Sequence, residues 1–134
     1  MAEGLGIKLP LFVDTVDGVY GLTKNVEELA QQNLKTIILT SPGERTMVPD
    51  FGVGIRNFLF EQNTTDTQTI IRENITRQVA KYAPYIEIEE LQVSSPSVAS
   101  AQPNERDQNR INIYIRFRVP GANVVSNLTI PVEI

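Results

Sequence analysis

The sequence predicts an α+β protein, with an N-terminal extended segment and helices followed by a three-stranded antiparallel β-meander packed on the helices. Two observations carry this. Apolar residues recur at helical spacing between residues 26 and 83, then switch to alternation from residue 111 to the C-terminus. Helices run first and strands after, which is the element order of an α+β arrangement rather than of βαβ units. The 134 residues suit one domain spanning 1–134, long enough to bury a core without disulfides or a structural metal.

The elements follow in order. In residues 7–22, Ile7, Leu9, Leu11 and Val13 alternate, Asp17-Gly18 offers a turn, and Val19 to Leu22 returns. Pro10 makes the first run an edge or irregular strand, because proline cannot donate to a ladder. Asn25 followed by Glu28 reads as the start of a helix with a capping box. Val26, Leu29, Ala30, Leu34, Ile37 and Ile38 then share a face. Ser41-Pro42-Gly43 stops that helix, since a residue before proline leaves the α region. A short helix is expected at Ile55–Glu61, with Phe60 beside Ile55, Phe58 and Leu59. A longer one runs from about Thr67 to Ala83 on the stripe Ile71, Ile75, Val79 and Tyr82, with Glu73 and Arg77 spaced for an ion pair.

The last third changes period. Tyr85 to Val93 is strand-like, but Ile86 and Ile88 have one parity and Leu91 and Val93 the other. A β-bulge at Glu89-Glu90 would return all four to one face. Residues 94–109 are small and polar with two prolines, as in a long hairpin tip. Ile111, Ile113, Ile115, Phe117 and Val119 alternate with polar residues, so one face is buried and the other wet. Pro120 to Asn123 turns the chain, and Leu128, Ile130, Val132 and Ile134 alternate again.

Composition excludes several function classes. Acidic residues outnumber basic ones 16 to 12, for a net charge of -4, which argues against nucleic-acid binding through a strong positive field. There is no Cys and no His, so thiolate chemistry and the usual catalytic triads are impossible and the commonest zinc ligands are missing. No metal or cofactor is expected. No apolar run is long enough for a membrane span. The N-terminus has an early acid and no signal-like apolar run, so synthesis in the cytoplasm is expected. The three glycosylation-like triplets at Asn63, Asn74 and Asn127 are then chance matches. Glu44, Asp50 and Glu61 are the loose carboxylate cluster that a glycosidase reading would need, and residue types alone do not make such a site.

One connection holds more chemistry than a linker needs. Ser41 to Ile55 reads SPGERTMVPDFGVGI. Adjacent side chains on an extended segment point to opposite sides, so Glu44 and Arg45 each need a separate partner. An Arg there can pin loop carbonyls or a carboxylate with its fork of donors. The internal reading is that Arg45 locks its own loop and Phe51 plugs the core. The external reading is that the loop meets another protein.

Thr40 to Glu61, TSPGERTMVPDFGVGIRNFLFE, resembles the signature of the baseplate wedge and sheath-initiator family of contractile tails, found in phages and in type VI secretion baseplates. The matching positions are Pro42, Gly43, Glu44, Arg45, Pro49, Phe51, Gly52, Leu59, Phe60 and Glu61. Some members carry a Pro soon after the Arg; here Thr46-Met47-Val48 precede Pro49. The resemblance implies a non-enzymatic assembly protein in the virion tail baseplate, assembled in the host cytoplasm. It implies six copies around the tube and contacts with wedge proteins, the tail sheath protein, and the tube or hub. By the same resemblance, Glu44 and Arg45 would contact the wedge, with Pro42, Gly43, Pro49, Phe51 and Gly52 shaping the loop.

The C-terminus adds an independent expectation. From Val119 to Ile134 the only charge is Glu133, and an uncharged apolar strand invites pairing with another chain. Pro131 favours an edge position. Leu128, Ile130, Val132 and Ile134 are therefore candidates for a sheath interface formed by strand addition. Competing readings are a tail-completion or connector protein that never meets sheath, and a peptidoglycan hydrolase.

Overall fold

The computed structural model describes residues 4–16, 18, 20–62, 64–94 and 110–133. It is α+β as expected. A two-stranded antiparallel pair, β1 (Gly6–Ile7) and β2 (Leu22–Thr23), precedes α1 (Val26–Leu39), α2 (Ile55–Phe58) and α3 (Thr65–Tyr82). A three-stranded antiparallel sheet follows: β3 (Glu87–Ser94), β4 (Arg110–Val119) and β5 (Val124–Glu133), in that spatial order. A 3₁₀ turn at Pro120–Ala122 joins β4 to β5, closed by Asn123 in the left-handed conformation that Asn tolerates.

The core lies between the helices and one face of the sheet. Leu34 and Ile38 of α1, Ile71 and Ile75 of α3, and Ile113, Ile115 and Phe117 of β4 are all fully buried. Asn25 caps α1 by accepting from the Glu27 N–H at 3.1 Å, one position earlier than a capping box places that bond. Thr64 caps α3 by accepting from the Thr67 N–H, so α3 starts two residues before the expected position.

The bulge is real and sits on Glu89. Ile88 pairs with Phe117 and Glu90 with Arg116, leaving Glu89 as the extra residue. Parity changes there, which lets Ile86 and Val93 both be buried. On the wet face Glu89 lies 3.3 Å from Arg116, and Glu87 accepts from Arg118 at 2.6 Å, holding that guanidinium's pKa above its ordinary value.

Several local expectations are corrected. The helix at Ile55 closes after one turn, at Phe58, and Phe60 is 80% exposed. Ile55 and Leu59 are i,i+4 and share the buried side; Phe60 lies a further ~100° round the axis and misses it. Arg77 donates to Asn74 at 2.8 Å rather than pairing with Glu73. Among the described residues, the N-terminal segment keeps two paired residues per strand plus a bridge from Val13 to Tyr20. Its pairing register shifts by four residues around Pro10, which cannot donate to a continuous ladder. The expected turn at Asp17 and the hairpin tip at 95–109 lie outside the described residues.

Candidate functional site

The connection after α1 is built from that helix's unsatisfied end. The last carbonyls of a helix lack intrahelical partners. Here the Thr36 carbonyl accepts from both the N–H and the hydroxyl of Thr40. The Ile37 carbonyl accepts from the Val53 N–H at 3.0 Å, and the Thr40 carbonyl accepts from the Gly54 N–H at 2.9 Å. Residues 51–55 are thereby stitched along the helix end, and all five are buried. Gly52 is required there. Its φ is +107°, and a Cβ would stand 2.1 Å from the Thr40 carbonyl oxygen.

Residues 42–50 project from this base and are all exposed. The projection is closed on itself, with the Gly43 N–H donating to the Pro49 carbonyl at 2.8 Å and Gly43 at φ +92°. Glu44 and Arg45 do take separate partners, and both partners lie inside the loop. A Glu44 carboxylate oxygen accepts from the Ser41 N–H at 3.2 Å. The Arg45 guanidinium lies over the Phe51 ring, 4.0 Å from its centroid. Phe51 is buried and meets Tyr82 edge-on at 4.9 Å. Phe51 thus plugs the core, and Arg45 is oriented by that plug while its side chain stays exposed.

Gln78 is the residue that sequence reasoning missed. It is 7% exposed, accepts from the Gly52 N–H at 3.2 Å and donates to the Asp50 carbonyl at 2.9 Å. One amide therefore clamps the loop base to α3. The available signal was its position: Gln78 falls at helical spacing between Ile75 and Tyr82, where an apolar residue is expected.

The second candidate surface is β5. Leu128 is partly buried, and Ile130 and Val132 are almost wholly buried, all against the chain's own core. The Ile130 and Val132 side chains are turned into that core, Leu128 keeps part of its surface open to the groove along α1, and Ile134 lies outside the described residues. What β5 offers is its outer edge. Pro131 stands opposite Asn112 and cannot donate to β4, so the odd-numbered residues turn their backbone groups outward. The Asn127 carbonyl agrees with this parity, accepting from the Gln31 amide of α1 at 3.2 Å. The two surfaces are not remote. Glu44 of the loop and Leu128 of β5 line one shallow groove of about 780 Å³ that runs along α1.

The carboxylates considered for hydrolysis do not form a site. Glu44, Asp50 and Glu61 are exposed, and Asp50 lies 3.8 Å from Lys81. A general acid active near neutral pH needs a desolvated carboxyl.

The family model for baseplate wedge protein gp25 matches residues 24–124. A crystal structure of a candidate tail lysozyme from Geobacter sulfurreducens is 29% identical, with a TM-score of 0.68, covering 85% of this chain and 96% of that one. A chain of the anti-feeding prophage baseplate is 24% identical, with a TM-score of 0.67 and coverage of 88% and 85%. A chain of the postcontracted pyocin R2 baseplate is 15% identical, with a TM-score of 0.50 and coverage of 92% and 98%. These last two share the fold. No curated protein gives a significant match.

Proposed function

The chain belongs to the baseplate wedge protein gp25 family, and from that membership we propose that it anchors in the inner baseplate of a contractile tail and starts the sheath by strand addition. The observation that carries the sheath part is the open edge of β5. Among the described residues only Gln31 engages its outward backbone groups. The other sheet edge, β3, carries Glu87, Glu89 and Glu90, whereas β5 is uncharged from Val124 to Pro131. Charge protects an edge against pairing, so β5 is the edge suited to receive a partner strand.

The wedge contact falls to the exposed loop. Arg45 and Glu44 are held in one orientation by Phe51 and Ser41, which lowers the entropy cost of ordering them on binding. Met47 at the tip is 92% exposed and supplies an adaptable apolar contact. Six copies around the tube, in contact with wedge proteins, the sheath, and the tube or hub, complete the reading, with assembly in the host cytoplasm.

The test leaves the core face of β5 intact. Thr129→Pro removes an outward N–H from an exposed position while Leu128 and Ile130 keep their packing. Purified tails carrying this variant are expected to show complete baseplates without sheath in electron micrographs, with an unchanged melting temperature. Normal sheath on the variant overturns strand addition at β5; the connector reading would then stand. The likeness to a candidate tail lysozyme favours a hydrolase as a second reading. Clearing of a peptidoglycan suspension by the pure protein, abolished by Glu44→Gln, would establish it.

A further inference from the structure

The groove between the two surfaces has a charge character opposite to that of the whole chain. Three cations from three elements line it: Lys8 on the N-terminal arm, Lys35 on α1 and Arg56 on α2. Two carboxylates, Glu28 and Glu44, also line it, leaving one net positive charge on a chain of net charge -4. None of the three cations has an ion pair among the described residues. Glu44 is already engaged by the Ser41 N–H. Thr23 also lines the groove; it is 1% exposed, and its hydroxyl has no hydrogen-bond partner among the described residues. That hydroxyl is sealed from the groove's solvent, so recognition falls to the exposed charges.

The shape indicates how such a ligand is read. The arm's edge is closed, because the Gln32 amide accepts from the Leu9 N–H and donates to the Ile7 carbonyl, both at 3.0 Å. Strand addition to the arm is therefore blocked, and recognition must run through side chains. Half-exposed Leu9 on one wall and Leu128 on the other supply apolar contact beside the cations.

We infer that this groove receives an extended acidic segment of another baseplate chain, whose carboxylates pair with Lys8, Lys35 and Arg56 and whose apolar side chains meet Leu9 and Leu128. The inference rests on the proposed place in the baseplate and names a third contact there, running along α1 between Glu44 of the loop and Leu128 of β5. Charge complementarity of this kind fixes register and raises the association rate.

The experiment uses the full chain in purified tails and alone. Lys35→Glu/Arg56→Glu is expected to leave the melting temperature unchanged, because both side chains are exposed. Incorporation into baseplates should fall at least tenfold, and a photo-crosslinker at Thr36 in the otherwise natural chain should label a Glu- or Asp-rich stretch of an identified baseplate protein. In solution, a fluorescent peptide of alternating Glu and Leu should bind the natural chain at least tenfold more tightly than its Gln counterpart. Normal incorporation of the charge-reversed chain, a crosslink to an uncharged or basic stretch, or equal binding of the two peptides overturns the inference. If the natural chain is itself missing from purified baseplates, the proposed function fails instead, and the two failures are distinguished.

Discussion

Three residues in and around the loop separate folding from contact. Gly52→Ala drives a Cβ onto the Thr40 carbonyl at a φ that L-residues avoid, and neither backbone can yield cheaply. That variant is expected to lose more than about 4 kcal/mol or fail to fold, read by urea denaturation. Gln78→Leu fills the space but strands the buried Gly52 N–H and the Asp50 carbonyl, with an expected cost of about 2 kcal/mol in the same measurement. Arg45→Ala removes only an exposed guanidinium from the Phe51 face and should cost under about 1 kcal/mol. If Arg45 contacts the wedge, this mild variant is nonetheless excluded from baseplates, scored by mass spectrometry of purified tails; full incorporation would make it a loop-locking residue alone. The roles of Glu44, Arg45 and Phe51 were open to the sequence as two alternatives, because local geometry dictates that neighbouring side chains diverge but not where they end. Gln78 was not legible: a polar residue on an apolar stripe reads as a lapse in periodicity until the loop it clamps is seen.

At the scale of elements, β3 shows why its bulge is needed. Deleting Glu89 would restore a continuous ladder and force either Ile86 and Ile88 or Leu91 and Val93 to the wet face. The expected loss is roughly 3–5 kcal/mol from two side chains returned to water. Glu89→Ala keeps the bulge and removes only exposed ion pairs with Arg116 and Arg118, so it should cost under about 1 kcal/mol. Urea denaturation of the pair discriminates the bulge's geometry from its charge. That bulge was legible because a parity change between two apolar pairs has one simple resolution. So were α1, α3, β4 and β5, each long enough for its period to repeat. The length of α2 was not, since four residues give a helical period nothing to repeat on and its end is set by packing of Ile55 and Leu59. Nor was the fate of Leu128, Ile130 and Val132: alternation says that one face is buried, and tertiary packing decides that the chain's own α1 and sheet bury it.

Across the whole molecule, apolar exposure is unevenly distributed. Leu5, Ile7, Leu9, Leu11 and Val13 have one parity on the N-terminal arm, and each is 49–76% exposed. Gly6 approaches Leu29 of α1, while Phe12, itself 45% exposed, packs over Gly21 within the arm. The arm therefore turns an apolar ridge to water. That arrangement was only half legible, since alternation was visible but two-residue pairings carry too little signal to say which face docks. A ridge of this kind is retained at a cost to solubility unless something covers it. Leu11→Ser/Val13→Ser is expected to leave the melting temperature within about 2 °C of the natural chain, because neither side chain is in the core. At high concentration, sedimentation velocity is expected to show self-association of the natural chain that is reduced in the variant, because an exposed apolar ridge is a surface for association. Incorporation into baseplates should fall as well, because a ridge that is covered in the assembly contributes its burial only there. A large drop in melting temperature would mean that the ridge packs on the chain's own body. Unchanged incorporation would mean that it faces solvent in the particle, leaving the loop, the groove and the edge of β5 to hold this chain in place.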